Sequence, residues 1–200
     1  MDKKYEILND RYIIINGHKL FRIRALKDFQ TIIHGCVIKV GDLGGYIQSV
    51  RNLSQEGNCW VANDAKVYDN AYVFDNAYVF DNAMVCGDAC VFDNAKIFDN
   101  ARVSDNAYVF GDACLFGNVM VGNNADICND TDYMYVKGLG GIYPVMTFYK
   151  CKDNQIGVTC DYFTSTLDDF VTELKKCKND KYKKEYLAAI KMVKIHFDLT

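Results

Sequence analysis

Residues 61–130 read VANDAKVYDN AYVFDNAYVF DNAMVCGDAC VFDNAKIFDN ARVSDNAYVF GDACLFGNVM VGNNADICND, and this stretch decides the fold. A six-residue unit, A-x-V-[FY]-[DG]-[ND], runs through it without a gap. Its aliphatic column is Val61, Val67, Val73, Val79, Val85, Val91, Ile97, Val103, Val109, Leu115, Val121 and Ile127. Two positions before each aliphatic residue from Val67 onward stands a small one, Ala65 through Ala125, with Val119 as the single larger member. Residues two apart point to the same side of an extended strand, so each hexad is one short strand with Ala and Val facing inward. The following Asp-Asn, Gly-Asp or Gly-Asn pair tolerates positive φ and turns the chain at little cost. Three strand-turn units per rung close a triangular prism with a repeat of eighteen residues. A helix is excluded, because a period of six matches neither 3.6 nor 7 and the Asp-Asn pairs would break it.

These columns resemble the hexapeptide repeat of left-handed β-helix proteins, in which a small residue follows the aliphatic one four positions later. The resemblance implies a left-handed coil, against the usual right-handed crossover. The chain departs from that pattern by placing Tyr or Phe directly after the aliphatic residue. The segments Phe21-Arg22-Ile23-Arg24-Ala25-Leu26, Gly41-Asp42-Leu43-Gly44-Gly45-Tyr46 and Asn52-Leu53-Ser54-Gln55-Glu56-Gly57 resemble hexapeptide-repeat proteins of bacteriophage and prophage genomes. So do Gly157-Val158-Thr159-Cys160, Thr166-Leu167-Asp168-Asp169-Phe170 and Glu185-Tyr186 nearer the C-terminus. That likeness implies fold and a phage setting more than a chemistry, and by analogy a homotrimer of prisms packed side by side.

Working outward, the open ends of a solenoid need covers. Tyr12 to Ala25 alternate around Asn16-Gly17, a type I′ hairpin signal. Gly41-Asp42-Leu43-Gly44-Gly45 reads as a tight turn into looser rungs at Ile47 and Leu53; a phosphate loop would need a G-K-[ST] ending and a following helix. Beyond Asp130, Tyr133 to Lys137, Tyr143 to Lys150 and Gln155 to Cys160 read as strands, joined by Gly138-Leu139-Gly140-Gly141 and Lys152-Asp153-Asn154. A helix follows that buries Leu167, Phe170, Val171, Leu174 and Cys177, with Ser165 or Thr166 as its N-cap. A second carries Tyr182, Tyr186, Ile190, Val193 and Phe197 on one stripe, its lysines facing water. The expected architecture is therefore mainly β: a hairpin cap over residues 1–46, a left-handed parallel β-helix over 47–130, and an α+β cap with two helices over 131–200.

Composition narrows the function classes. The chain has 200 residues, half of them hydrophobic, and a formal charge of −3, which disfavours a uniformly basic nucleic-acid binder. Nothing resembles a membrane span or a secretory leader, so a bacterial cytoplasmic setting is expected. The nine cysteines are odd in number and lack C-x-x-C spacing, which reads as reduced thiols. Cys59 falls at a core position, Cys90 and Cys114 at outward ones.

The enzymes most often built on the fold it resembles, acyltransferases and zinc-dependent carbonic anhydrases, need histidine as general base or metal ligand. The chain has three, His18, His34 and His196, and no hexad contains one. No catalytic residue, metal ligand or cofactor is therefore assigned. An acyltransferase with a nonstandard base, such as His34, beside Cys36, or a tyrosine, and a purely structural scaffold stay as alternatives. The recurring turn aspartates, Asp69, Asp75, Asp81, Asp93, Asp99 and Asp105, are read as bonding turn amides rather than calcium, since the G-G-x-G-x-D repeat is absent.

Charge and exposure point instead to binding. Residues 61–130 hold eleven acidic and three basic residues, and those bases, Lys66, Lys96 and Arg102, all occupy outward positions. Folding the sequence at eighteen places Trp60, Tyr78, Lys96 and Cys114 on one outer face. Tyr72, Cys90, Tyr108 and Asp126 fall on a second, and Lys66, Met84, Arg102 and Met120 on a third. Phe74, Phe92 and Phe110 form one ladder beside a corner, Phe80, Phe98 and Phe116 another. So much outward aromatic and Met surface suggests self-association, with clefts suited to a small anionic ring-bearing ligand such as a nucleotide. Trp60, Tyr72, Tyr78 and Tyr108 are the expected stacking residues, and Lys96 and Arg102 the expected phosphate contacts. The chain reads as a non-catalytic homotrimeric binding protein that sequesters such a signal or blocks a host defence protein.

Overall fold

A computed structural model describes residues 3–140, 145–160 and 163–199. The chain begins with a hairpin, β1 (Tyr5–Ile15) and β2 (His18–Ala25), then β3 (Phe29–Gln30), β4 (Val37–Ile38) and β5 (Leu43–Ile47). Twelve two-residue strands, β6 to β17, follow at a spacing of six, from Trp60–Val61 to Asp126–Ile127. They form the parallel β-solenoid that the hexads dictate, with every third strand hydrogen-bonded to the next: β6-β9-β12-β15, β7-β10-β13-β16 and β8-β11-β14-β17. Partners are eighteen residues apart, as in Lys66↔Met84↔Arg102↔Met120.

The reason these short strands hold is visible inside and at the corners. The aliphatic column from Val61 to Ile127 and the alanines from Ala65 to Ala125 are fully buried. A buried Val or Ile contributes about 1.5–3 kcal/mol, and a side chain no larger than Ala lets the three sheets approach. At each corner the first turn residue is left-handed, with φ of +57° at Asp69, +55° at Asp75 and +53° at Asp93. A bond such as Ala77 N–H to Phe74 O, 3.2 Å, closes a turn with positive φ at its first central residue only. The corresponding bond lengthens to 3.5 Å at Val119, the one larger residue in the alanine column. Asp69, Asp93, Asp99 and Asp105 do bond backbone amides, but those of the next rung: Asp69 accepts from Gly87 N at 3.3 Å, Asp93 from Gly111 N at 3.2 Å, Asp99 from Gly117 N at 3.0 Å and Asp105 from Asn123 N at 2.8 Å.

The N-terminal hairpin turns through Asn16 and Gly17, both at positive φ, as a type I′ turn requires. It is continuous with one prism face: β2 pairs with β5 antiparallel and β5 with β7 parallel, giving a seven-stranded sheet. Strand β1 carries a bulge, because Leu8 opposes Arg22 and Tyr12 opposes Phe21, leaving Asn9, Asp10 and Arg11 without partners in the ladder.

After a 3₁₀ turn at Asp130–Asp132, β18 (Tyr133–Lys137), β19 (Val145–Lys150), β20 (Ile156–Cys160) and β21 (Phe163–Thr166) form an antiparallel sheet. Helices α1 (Leu167–Leu174) and α2 (Asp180–His196) pack on it. The expected strand from Tyr143 is described from Val145; Gly141, Tyr143 and Pro144 lie outside the described residues. Thr166 caps α1, accepting from Asp169 N at 3.1 Å. Phe148, Val158, Leu174, Ile190 and Val193 share a core separate from that of the prism, to which the N-terminal residues belong. Lys152 N–H to Asn124 O, 2.9 Å, ties this module to the last rung. No described helix is long and apolar enough to cross a membrane.

Candidate functional site

The six residues expected to hold a ligand are distributed over three outer faces. Trp60, Tyr78 and Lys96 lie on the β6-β9-β12-β15 face, in register with one another. Tyr72 and Tyr108 flank Cys90 on the β8-β11-β14-β17 face. Arg102 stands between Met84 and Met120 on the third. Register at eighteen fixed these rows, and the structure reproduces each as read. What the rows do not do is bring both cations to one place: Lys96 and Arg102 are on different faces.

Exposure corrects the role expected of two of the rings. Trp60 is 1 % exposed, enclosed by Phe29 at a centroid distance of 5.4 Å and Tyr5 at 6.3 Å, both edge-on. Tyr78 is 7 % exposed, and its hydroxyl lies 3.7 Å from Cys36 Sγ. The segment between β2 and β5 folds over the upper end of this face, so Trp60 and Tyr78 are core residues of the cap interface, with no open ring face for a ligand. Nothing periodic links Phe29 or Cys36 to the repeat, so the hexads alone cannot show this contact.

The other rings are partly occupied by their own chain. Phe74, Phe92 and Phe110 stack at 4.9 and 5.0 Å with interplanar angles of 7° and 4°. Phe80, Phe98 and Phe116 stack at 4.9 and 5.5 Å. Strands about 4.8 Å apart set this spacing, so the rings present edges outward and give their faces to each other. Tyr72 lies flat against Phe74 at 4.8 Å. Tyr108, 39 % exposed, has Lys152 Nζ 3.1 Å from its ring centroid, and Phe92 meets it edge-on. Arg102 is exposed and Lys96 half-buried, and neither forms an ion pair among the described residues.

His34 is exposed in a turn, where Cys36 N–H bonds Ile33 O at 2.9 Å. His18 Nδ1 is 3.4 Å from Asp69 Oδ1, and His196 Nε2 is 3.0 Å from Thr131 O. The nine cysteines form no disulfide among the described residues. Burial pushes the thiols of Cys86, Cys90 and Cys114 above their ordinary value, and that of Cys151 up to about 11, which makes these poor nucleophiles near neutral pH. Among the described residues no group of three or more His, Cys, Asp or Glu is placed to hold a metal ion.

Open grooves follow the corners. One, about 520 Å³, runs beside Asp75, Asp93 and Asp112 and is lined by turn residues alone. Another, about 380 Å³, opens where the hairpin meets β5 and contains Arg11, Arg22, Tyr12 and Tyr46. Sequence reasoning passed over this second groove, because a ladder irregularity in β1 creates it. No protein-family model matches the chain, and no curated protein matches it either.

Proposed function

We propose that the chain is a non-catalytic binding protein that works as a homotrimer of left-handed prisms and captures a small anionic ligand between copies. The observation that carries this reading is the separation of chemistries on one prism. Its free cations, Lys96 and Arg102, and its most open tyrosine, Tyr108, lie on different faces, so a site combining them is complete only where faces of two copies meet. Across faces the rows are level: Lys66 precedes Tyr72, and Arg102 precedes Tyr108, by one hexad each. Parallel copies packed side by side would therefore set a cation of one against a tyrosine of the next. The left-handed sense rests on the hexapeptide resemblance. The phage setting implied by the same resemblance makes a nucleotide-like signal of host defence the favoured ligand, with a host defence protein as the second target to try.

Light scattering at micromolar concentration is the first test, and a mass near one 22.7 kDa chain would remove the basis of the reading. Calorimetry against cyclic dinucleotides and ADP-ribose derivatives is the second. Loss of one charge-assisted contact, in Arg102→Ala or Lys96→Ala, should weaken binding by about 1.5–3 kcal/mol. If a trimeric wild type binds none of them tighter than about millimolar, the ligand assignment is wrong and blocking of a host protein takes its place. The acyltransferase alternative predicts acetyl-CoA turnover that His34→Ala abolishes.

A further inference from the structure

We infer that the groove between the hairpin and β5 is a binding site for a carboxylate carried on an apolar body, complete within a single chain. It is lined by Asp10, Arg11, Tyr12, Arg22, Leu43 and Tyr46 and has a volume of about 380 Å³. Arg22 is its centre. The guanidinium lies 4.8 Å from the Tyr46 ring centroid, and Nη1 donates to Tyr46 Oη at 2.9 Å and to Asp64 Oδ1 at 3.2 Å. Those contacts fix the plane of the guanidinium and use one of its edges. On the other edge, Nε is buried and has no hydrogen-bond partner among the described residues. A buried donor without an acceptor is costly, and few native groups are left so. The Nε–Nη2 edge is a pair of parallel donors, the geometry that a carboxylate meets with two oxygens.

The bulge in β1 supplies the rest. Because Asn9, Asp10 and Arg11 oppose no residue of β2, the chain swells beside Arg22 and lines the groove with a second cation, Arg11. Arg11 and Tyr12 are both exposed, and binding requires that the side chains around the groove shift so that an oxygen reaches Nε. Leu43 and Tyr12 give the groove an apolar wall, which asks for a ring or branched chain behind the charge. Asp10 in the lining and Asp64 on Nη1 oppose a second negative charge, which favours a singly charged carboxylate over a phosphate. Unlike the clefts between copies, this site depends on no neighbouring chain.

Titration of the full chain with benzoate, followed through the Arg22 Nε–H resonance, tests the assignment, with benzamide and inorganic phosphate as comparison probes. Benzoate should saturate at millimolar concentration or below and shift that resonance downfield, and benzamide and phosphate should bind more weakly. Arg22→Lys, which keeps the charge but loses the fork, should weaken benzoate about tenfold. Arg11→Ala alters an exposed side chain and keeps the fold testable; it should weaken benzoate several-fold. The inference is overturned if benzoate does not saturate, if phosphate or benzamide binds as tightly, or if both variants bind benzoate like the wild type. These outcomes are independent of the oligomeric state, so they separate this site from the one between copies.

Discussion

Lys4 is wholly buried, with its ammonium donating to Cys59 O at 2.9 Å and Glu56 O at 3.0 Å, and with Cys59 Sγ at 3.1 Å. Burial draws the Lys4 pKa down and pushes the Cys59 thiol up, each partly offset by the other. Lys4 thus stoppers the open carbonyl edge at the upper end of the prism. Lys4→Met keeps the stem but removes the donor, and should lower stability by about 1.5–3 kcal/mol in urea titration; an unchanged midpoint would refute the stopper. At the other end Asp132 is the counterpart. Its burial alone would raise the carboxyl pKa, but hydrogen bonds from Lys150 Nζ at 2.7 Å and from the Cys128 and Asn129 amides together hold it below the ordinary 3.8. A depressed carboxyl stabilises the fold above its unfolded pKa and loses that contribution as pH falls through the folded one. The stability gap between wild type and Asp132→Asn should therefore be full at pH 6 and shrink below about pH 4. A gap independent of pH would show that the carboxylate charge plays no part. Neither residue stands out in sequence, since a lone Lys near an N-terminus and an Asp in a loop carry no pattern.

The corners are the element whose chemistry the hexads state most openly, and they also allow a sharp comparison. Gly87 and Gly117 share a φ of +69°, yet a Cβ on Gly87 would sit 2.8 Å from Asp105 N, and one on Gly117 would meet nothing within 4 Å. Asn adopts the left-handed region readily, so Gly117→Asn should cost under about 1 kcal/mol, and Gly87→Asn at least about 2 kcal/mol more through overpacking. Equal thermal midpoints for the two variants would contradict the close approach. In α1 the cap makes an ordinary demand: Thr166→Ala should cost about 1 kcal/mol by denaturant titration. Strand, corner and register were legible because a strict period of six leaves no alternative way to bury both Ala and Val. The bulge at Asn9–Arg11 was not, because a local irregularity has no period, and with it the Arg22 groove stayed hidden. The same holds for Trp60: its outward parity was read correctly, but a non-periodic segment carrying Phe29 covers it.

Across the whole molecule, contacts in a solenoid run mainly from rung to rung, so protection should rise toward the middle. Amide exchange is expected to be slowest around Val91 and Ile97 and faster at the Asn16-Gly17 tip and in α2, which has its own core with the C-terminal sheet. Equal protection of α2 and Val91 would mean that the two cores unfold as one. The enclosure of Trp60 makes the order of these events observable. It is the sole tryptophan of the chain, 1 % exposed and held between Phe29 and Tyr5. Its indole is thus a built-in optical reporter of the N-terminal lid: emission should be blue-shifted in the native protein and redden when the lid lifts, before the ultraviolet dichroism of the stacked rungs changes.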